Sequence, residues 1–267
     1  MMDKLILGRF IPGNSLIHRL DPRTKLISTF YFILIIFLAN NWQSYALLTL
    51  VSLLAIAISK IPWGFFLKGL RPMIVLILFT VALQVLFTSG GQVFFRLGPI
   101  SITQFGLING AFIFVRFVLI IFISTLLTLT TSPLSLSDAL ENILRPLRVV
   151  KFPVHELSLM LSIALRFVPT LMDETEKIMN AQRARGVDFG EGSLIQKMKA
   201  IVPLLIPLFV SSFKRADDLA DAMEARGYQG GDGRTRYRKL HWEMIDTFTI
   251  LTMLILTGGL ILFRTIF

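Results

Sequence analysis

The sequence predicts an all-α, polytopic integral membrane protein with about five transmembrane helices plus long cytoplasmic helices. Three observations carry this. Of its 267 residues 54% are hydrophobic and only 16% are charged, with 23 Phe, which is more apolar surface than a soluble domain of this length buries. Five apolar stretches approach the ~20 residues that a bilayer span needs. The sequence between residues 132 and 243 has a different pattern, of long helical runs that begin apolar and end charged.

The five spans are expected at residues 26–39, 44–59, 72–88, 105–131 and 244–263. The first two are short, so one of them is also readable as re-entrant. Asp21-Pro22 reads as the N-cap and first residue of the helix that launches the first span. Arg19, Arg23 and Lys25 are expected at the anionic headgroups. Basic residues fix the orientation. Lys4, Arg9, Arg19, Arg23 and Lys25 precede the first span, and Lys60, Lys68 and Arg71 separate the second from the third. The loop Asn40-Asn41-Trp42-Gln43 has none, and residues 89–104 hold only Arg96. The positive-inside rule then makes the N-terminus and residues 132–243 cytoplasmic. The protein is expected in the plasma membrane.

Within the inside region, residues 134–150 suit an amphipathic helix with Ser135 or Ser137 as N-cap, ended or kinked at Arg145-Pro146. Two longer helices are expected at residues 154–185 and 194–226. Ser158 to Leu165 and Ile201 to Val210 are apolar nearly all round, whereas Asp173 to Lys177 and Lys214 to Asp218 are charged. Each reads as a rod whose first half lies against the membrane portion and whose second half projects into water. Pro169, Pro203 and Pro207 are expected to kink the apolar halves. A sixth span at residues 201–210 is the competing reading, but that run is too short by roughly half. Ala164, Ala200, Gly106 and Gly110 suit sliding or tight helix contacts.

Both rods end in one tripeptide: Ala184-Arg185-Gly186 and Ala225-Arg226-Gly227. The likeness continues at one constant offset without a gap, with Ala181 answering Ala222, Gly190 Gly231, Glu191 Asp232 and Gly192 Gly233. This is an internal duplication. Each Gly falls where a left-handed residue stops a helix, which leaves the Arg fork at the tip for carboxylates or helix-end carbonyls of another protein. An Arg merely complementing its helix dipole is the simpler reading of one copy. Two matched copies favour two matching sockets.

Several chemistries are set aside. With no Cys and three His, no disulfide, thiolate or metal site is expected, and no cofactor is called for. The net charge of +10 lies beside apolar runs, so it does not point to nucleic acid. Basic residues and prolines from Arg9 to Lys25 interrupt any cleavable signal. Ser89-Gly90-Gly91-Gln92 spells the ABC ATPase signature, but no phosphate loop accompanies it. His155-Glu156 opens like a zinc-protease helix, yet position 159 is Leu. Asp218, Asp221, Ala222, Ala225 and Arg226 resemble the opening of a CDP-alcohol phosphotransferase motif. There, Thr235 and Lys239 replace the expected Gly and Asp, and a cation among hard oxygen ligands repels the metal. Arg116, inside the fourth span, needs a partner on a neighbouring helix or a functional role.

The stretches from Pro12 to Leu26, Thr130-Thr131-Ser132-Pro133, Leu165-Arg166-Phe167-Val168-Pro169 and the two Ala-Arg-Gly tips, taken together and in order, resemble the transmembrane T component (EcfT family) of energy-coupling factor transporters. The resemblance implies a non-catalytic scaffold joining two cytoplasmic ABC ATPases to a small membrane S component that binds a vitamin or metal ion. It also implies that Ala184, Arg185, Gly186, Ala225, Arg226 and Gly227 contact the ATPases and that the two rods are coupling helices. The division expected is a membrane domain at 1–131, a coupling domain at 132–243 and a final span at 244–267. An ordinary ABC importer permease with its own substrate path is the alternative, and it would need more intramembrane polarity than Arg116 and Gln84 supply.

Overall fold

The structure is a computed structural model that describes residues 10–97, 100–150, 152–187, 189, 193–230 and 240–266. It divides into two compact units, Met1–Ala139 with Leu240–Phe267, and Leu140–Lys239.

The first unit opens with a short helix α1 (Leu16–Arg19) and α2 (Pro22–Ile35), which a 3-10 turn (Ile36–Leu38) continues. Asp21 caps α2 by accepting from the Arg23 N–H, and Pro22 occupies the first turn, where its missing N–H costs nothing. Helix α3 (Trp42–Ser59) stops at Lys60, left-handed at φ 59°. Helices α4 (Trp63–Leu70) and α5 (Ile74–Phe87) form one pair bent by 61°, so the third expected span corresponds to α5, the second limb of this bent pair. The break falls at Arg71-Pro72, where the proline ring removes a donor and crowds the preceding turn.

Residues 89–104, read from sequence as a plain loop, contain an antiparallel hairpin instead. Its strands are β1 (Val93–Leu97) and β2 (Ile100–Thr103), with Val93 opposite Thr103 and Leu97 opposite Ile100. Thr103 then caps α6 (Gln104–Thr130) by accepting from the Gly106 N–H at 3.1 Å. Gly106 and Gly110 let α6 close tightly on α5. A Cβ on Gly106 would lie 2.9 Å from the Val85 carbonyl oxygen, and one on Gly110 2.9 Å from Val85 Cγ2.

Phe32, Ile36, Leu48, Ile56, Phe66, Leu119, Leu126, Leu256 and Leu260 form the core of this unit. Phe30, Leu34, Leu50, Val75, Phe79 and Leu254 face outward, as helices do when hydrocarbon is their solvent. Helices α3, α6, α8 (Val154–Ala184), α10 (Met244–Ile266) and the bent pair are long and apolar enough to cross a membrane. Helix α2 with its 3-10 turn is about 25 Å long at 1.5 Å per residue, just short of a ~30 Å hydrocarbon core. The chain is a multi-pass membrane protein.

Polar ties set the directions of these helices. The Asp21 N–H donates to Asp246 Oδ1 at 2.9 Å, and the Tyr31 and Thr257 hydroxyls are 2.8 Å apart, so α2 and α10 run parallel, starting together. The Ile11 N–H donates to the Leu129 carbonyl at 2.9 Å, which places the end of α6 at the same face. At the other end, Asn41 Nδ2 donates to the Phe263 carbonyl at 3.2 Å.

Two details go beyond the sequence reading. Lys25 is enclosed by protein. It is 7% exposed, and its Nζ donates to the carbonyls of His18, in the last turn of α1, and Thr130, in the last turn of α6, at 3.0 Å each, since helix ends leave carbonyls without an intrahelical partner. The helix after the fourth span, α7 (Pro133–Leu144), is capped by Ser132, whose Oγ accepts from the Ser135 N–H at 3.2 Å. Ser135 and Ser137 are buried within it. Pro133 favours the first helical position, so the helix starts one residue before the expected 134 and its cap lies three residues before Ser135.

The second unit holds a 3-10 segment (Arg145–Val150), α8 and α9 (Leu194–Ala225). Both long helices run on without interruption through Pro169, Pro203 and Pro207.

Candidate functional site

The two Ala-Arg-Gly tips end α8 and α9 in the same way. At the first, the Gly186 N–H donates to the Arg183 carbonyl at 2.9 Å and the Val187 N–H to the Gln182 carbonyl at 3.0 Å. At the second, the Gly227 N–H donates to Glu224 at 2.8 Å and the Tyr228 N–H to Met223 at 3.0 Å. Both are Schellman caps, which satisfy the last carbonyls through a left-handed residue after the helix. Gly186 sits at φ 88° and Gly227 at φ 72°, and a Cβ on either would meet nothing within 4 Å. Glycine is therefore required there by backbone conformation and not by crowding. Arg185 and Arg226 are exposed. The duplicated residues that follow, Gly190 to Gly192 and Gly231 to Gly233, lie outside the described residues.

The rods are fastened at their middles. Arg215 Nη2 donates to Glu174 Oε2 at 2.8 Å, and the Ser211 hydroxyl donates to Glu174 Oε1. The Arg215 guanidinium also lies 5.6 Å from the Phe167 ring centroid, within cation–π range. Nearer the first tip, Gln182 Nε2 reaches the Pro203 carbonyl at 3.4 Å. Partners thus climb α8 as they descend α9, so the helices run in opposite directions and their tips lie at opposite ends of the pair. The sequence reading missed this clasp, although Glu174 and Arg215 sit at the repeat's own spacing and are oppositely charged.

Leu157, Met160, Ile201, Leu205, Phe209 and Phe213 are exposed along the two rods, an apolar surface well beyond scattered single residues. At the base of α8, Ser158 Oγ donates to Glu141 Oε2 at 2.6 Å, and His155 Nδ1 lies 3.5 Å from Glu141 Oε1. This trio ties α8 to α7.

Arg116 has a structural partner on α3. Its Nε and Nη2 donate to the Tyr45 hydroxyl at 3.1 and 2.7 Å. The guanidinium lies 5.1 Å from the Phe37 ring, and Phe112 stacks on Tyr45 at 4.8 Å. The Ser89 to Gln92 tetrapeptide starts no helix. Gly90 and Gly91 have positive φ and pack on Phe105 as the chain turns into β1. Among the described residues, no group of three or more His, Asp or Glu is placed to hold a metal ion.

The sequence model of the family described as "Cobalt transport protein" (CbiQ) matches residues 13–237. The energy-coupling factor transporter transmembrane protein EcfT of Lacticaseibacillus paracasei is 68% identical over 263 residues, covering 98% of this chain and 100% of that protein. Its namesake in Streptococcus equi is 64% identical, covering 98% and 97%, and that of Bacillus subtilis is 55% identical, covering 99% and 100%. With duplicated Arg tips on a clasped helix pair and relatives of this similarity over nearly its whole length, the chain belongs to the EcfT family of transmembrane components of energy-coupling factor transporters.

Proposed function

We propose that the exposed Arg185 and Arg226, with their flanking Ala184, Gly186, Ala225 and Gly227, each dock into a groove of one of two cytoplasmic ABC ATPases. ATP binding then moves the two grooves relative to each other, and α8 and α9 pass that displacement to the membrane. The exposed apolar halves of these rods carry an S component that binds a vitamin or another micronutrient. The chain is the scaffold and coupling subunit of the transporter and performs no chemistry itself.

The observation that carries this reading is the pair of identical Schellman caps, each presenting one Arg at opposite ends of a clasped helix pair. An antiparallel pair addresses two separate subunits, whereas parallel rods would present both tips to one. The same reading places the N-terminus and both tips in the cytoplasm, in line with the basic residues before α2 and between α3 and α5.

The test is Arg185→Ala with Arg226→Ala. Each single change should weaken copurification of the ATPases or uncouple uptake, and the double change should abolish uptake while membrane insertion persists. Wild-type uptake by the double variant would overturn the proposal. Lys at either position should rescue poorly, because an ammonium does not reproduce the bidentate fork. The chain has no Cys, so single cysteines at Asn14 and Asn40 report sidedness cleanly. A membrane-impermeant thiol reagent on intact cells should label Asn40→Cys and not Asn14→Cys.

A further inference from the structure

Between α2, α3, α6 and α10 lies a cavity of about 330 Å³, with room on the order of ten methylene groups if each takes a water's liquid volume of about 30 Å³. Phe32, Val51, Leu54, Ala55, Leu126 and Met253 give it apolar walls. Three hydroxyls on the wall already have partners within their own helices. Thr130, Thr249 and Thr252 donate to the carbonyls of Leu126, Ile245 and Phe248 at 2.7, 2.9 and 2.8 Å.

Two polar groups on the wall differ. Ser28 is 9% exposed, and its Oγ has no hydrogen-bond partner among the described residues, although the Thr24 carbonyl one turn back is the usual acceptor for a helical serine. Lys25, one turn before it, has three ammonium protons, of which the His18 and Thr130 carbonyls take two. The Lys25 ammonium has one proton to spare, and the Ser28 hydroxyl, whose Oγ is covered by protein, reaches the cavity by a χ1 rotation, at the end where α2 begins and α6 ends. An apolar slot with unspent donors at one end suits a molecule with an oil-like body and an oxygen-rich head. Water does not suit the body of the slot, since it would find few polar partners there.

We propose that the slot is a phospholipid site. One acyl chain lies among the four helices, and the phosphodiester or ester carbonyl oxygens of the same lipid accept from Lys25 Nζ and Ser28 Oγ. Charge complementarity favours an anionic phospholipid over a zwitterionic one. The site lies wholly in the membrane unit and is independent of the docking proposed for Arg185 and Arg226.

The transporter containing the full chain is to be extracted from membranes with added phosphatidylglycerol, and the lipid retained per chain measured by native mass spectrometry after detergent washing. One equivalent should remain on the wild-type chain. Ala55→Phe fills the slot and leaves both donors in place, so it should cut retention at least tenfold with an unchanged or raised melting temperature. Ser28→Ala should lower retention about fivefold, as expected for one lost hydrogen bond. Phosphatidylethanolamine should be retained less than phosphatidylglycerol. No retained lipid on the wild type, as a partner's side chain or detergent in the slot would give, overturns the proposal, and so does equal retention by Ala55→Phe. If Ala55→Phe does not fold, retention by Ser28→Ala at the wild-type level overturns it.

Discussion

Glu174 and Arg215 occupy the same position in the two copies of the repeat and bond to each other at 2.8 Å. Each lies eleven residues before the Arg of its own tip, so the fastening point is equidistant from Arg185 and Arg226 along the helices, about 16 Å from each at 1.5 Å per residue. A duplicated helix meeting its twin in the reverse direction approximates a two-fold contact, in which equivalent positions face each other near the axis. The duplication has diverged there to opposite charges, which a strict two-fold would forbid.

Glu174→Ala and Arg215→Ala should therefore not be additive. Their side chains are 25% and 30% exposed, so a double-mutant cycle on thermal unfolding should give a coupling of about 0.5–1 kcal/mol. A charge-reversed pair, Glu174→Arg with Arg215→Glu, should recover most of the uptake lost by either change alone.

Gly186→Ala and Gly227→Ala each force a side chain into left-handed backbone at a cost of about 1 kcal/mol, with no clash to relieve. Global stability should barely move, because the tips are exposed ends. Uptake should fall, since a lost cap re-aims the adjacent Arg, and ATPase copurification compared with the wild type checks this.

Asp246 is fully buried, and its two oxygens accept from the backbone N–H groups of Asp21 and Glu243 at 2.9 and 2.8 Å. Removing the carboxylate strands both donors, so Asp246→Ala should cost about 2–4 kcal/mol, read as a lowered melting temperature in detergent. Asp246→Asn keeps only one acceptor oxygen and should fall between the two.

His18, before the first span, gives a pH dependence. Its Nε2–H donates to the Ile11 carbonyl at 3.0 Å, and its Nδ1 accepts from the Ser15 hydroxyl at 2.7 Å. Burial holds its pKa below the ordinary 6.5, the Ile11 hydrogen bond opposes that, and the charge of Lys25 adds to it. The folded chain thus binds fewer protons here than the unfolded chain. The resulting stability is complete above pH 6.5 and is lost as pH falls from there through the folded-state pKa. His18→Gln should lack this dependence, so the gap in melting temperature between wild type and variant should shrink between about pH 7.5 and pH 5.

Features written in neighbouring residues were legible in the sequence. Asp21-Pro22 announced the start of α2, and the two Ala-Arg-Gly runs announced both helix ends, because caps depend on residues within one turn. Ser132-Pro133 carried the same kind of signal, but the buried Ser135 and Ser137 drew the start too late. The hairpin at Val93 to Thr103 was hidden because its strands are short and follow two glycines, a pattern shared with loops. Contacts across long separations, such as Asp21 with Asp246 or Arg116 with Tyr45, left no local trace. The charge on Lys25 gave no hint of its two acceptors, the His18 carbonyl seven residues before it and the Thr130 carbonyl 105 residues after it.

The pairing of the first membrane helix with the last has a bearing on biogenesis. Until the ribosome has released residue 246 and those after it, the start of α2 has an amide with no acceptor and α2 has an uncovered flank. The early spans therefore enter the bilayer before α10 exists to cover α2, and the contacts between these two helices form only after residue 246 has been made. A chain stopped before Asp246 would lack both the acceptor for the Asp21 N–H and the helix that covers that flank of α2.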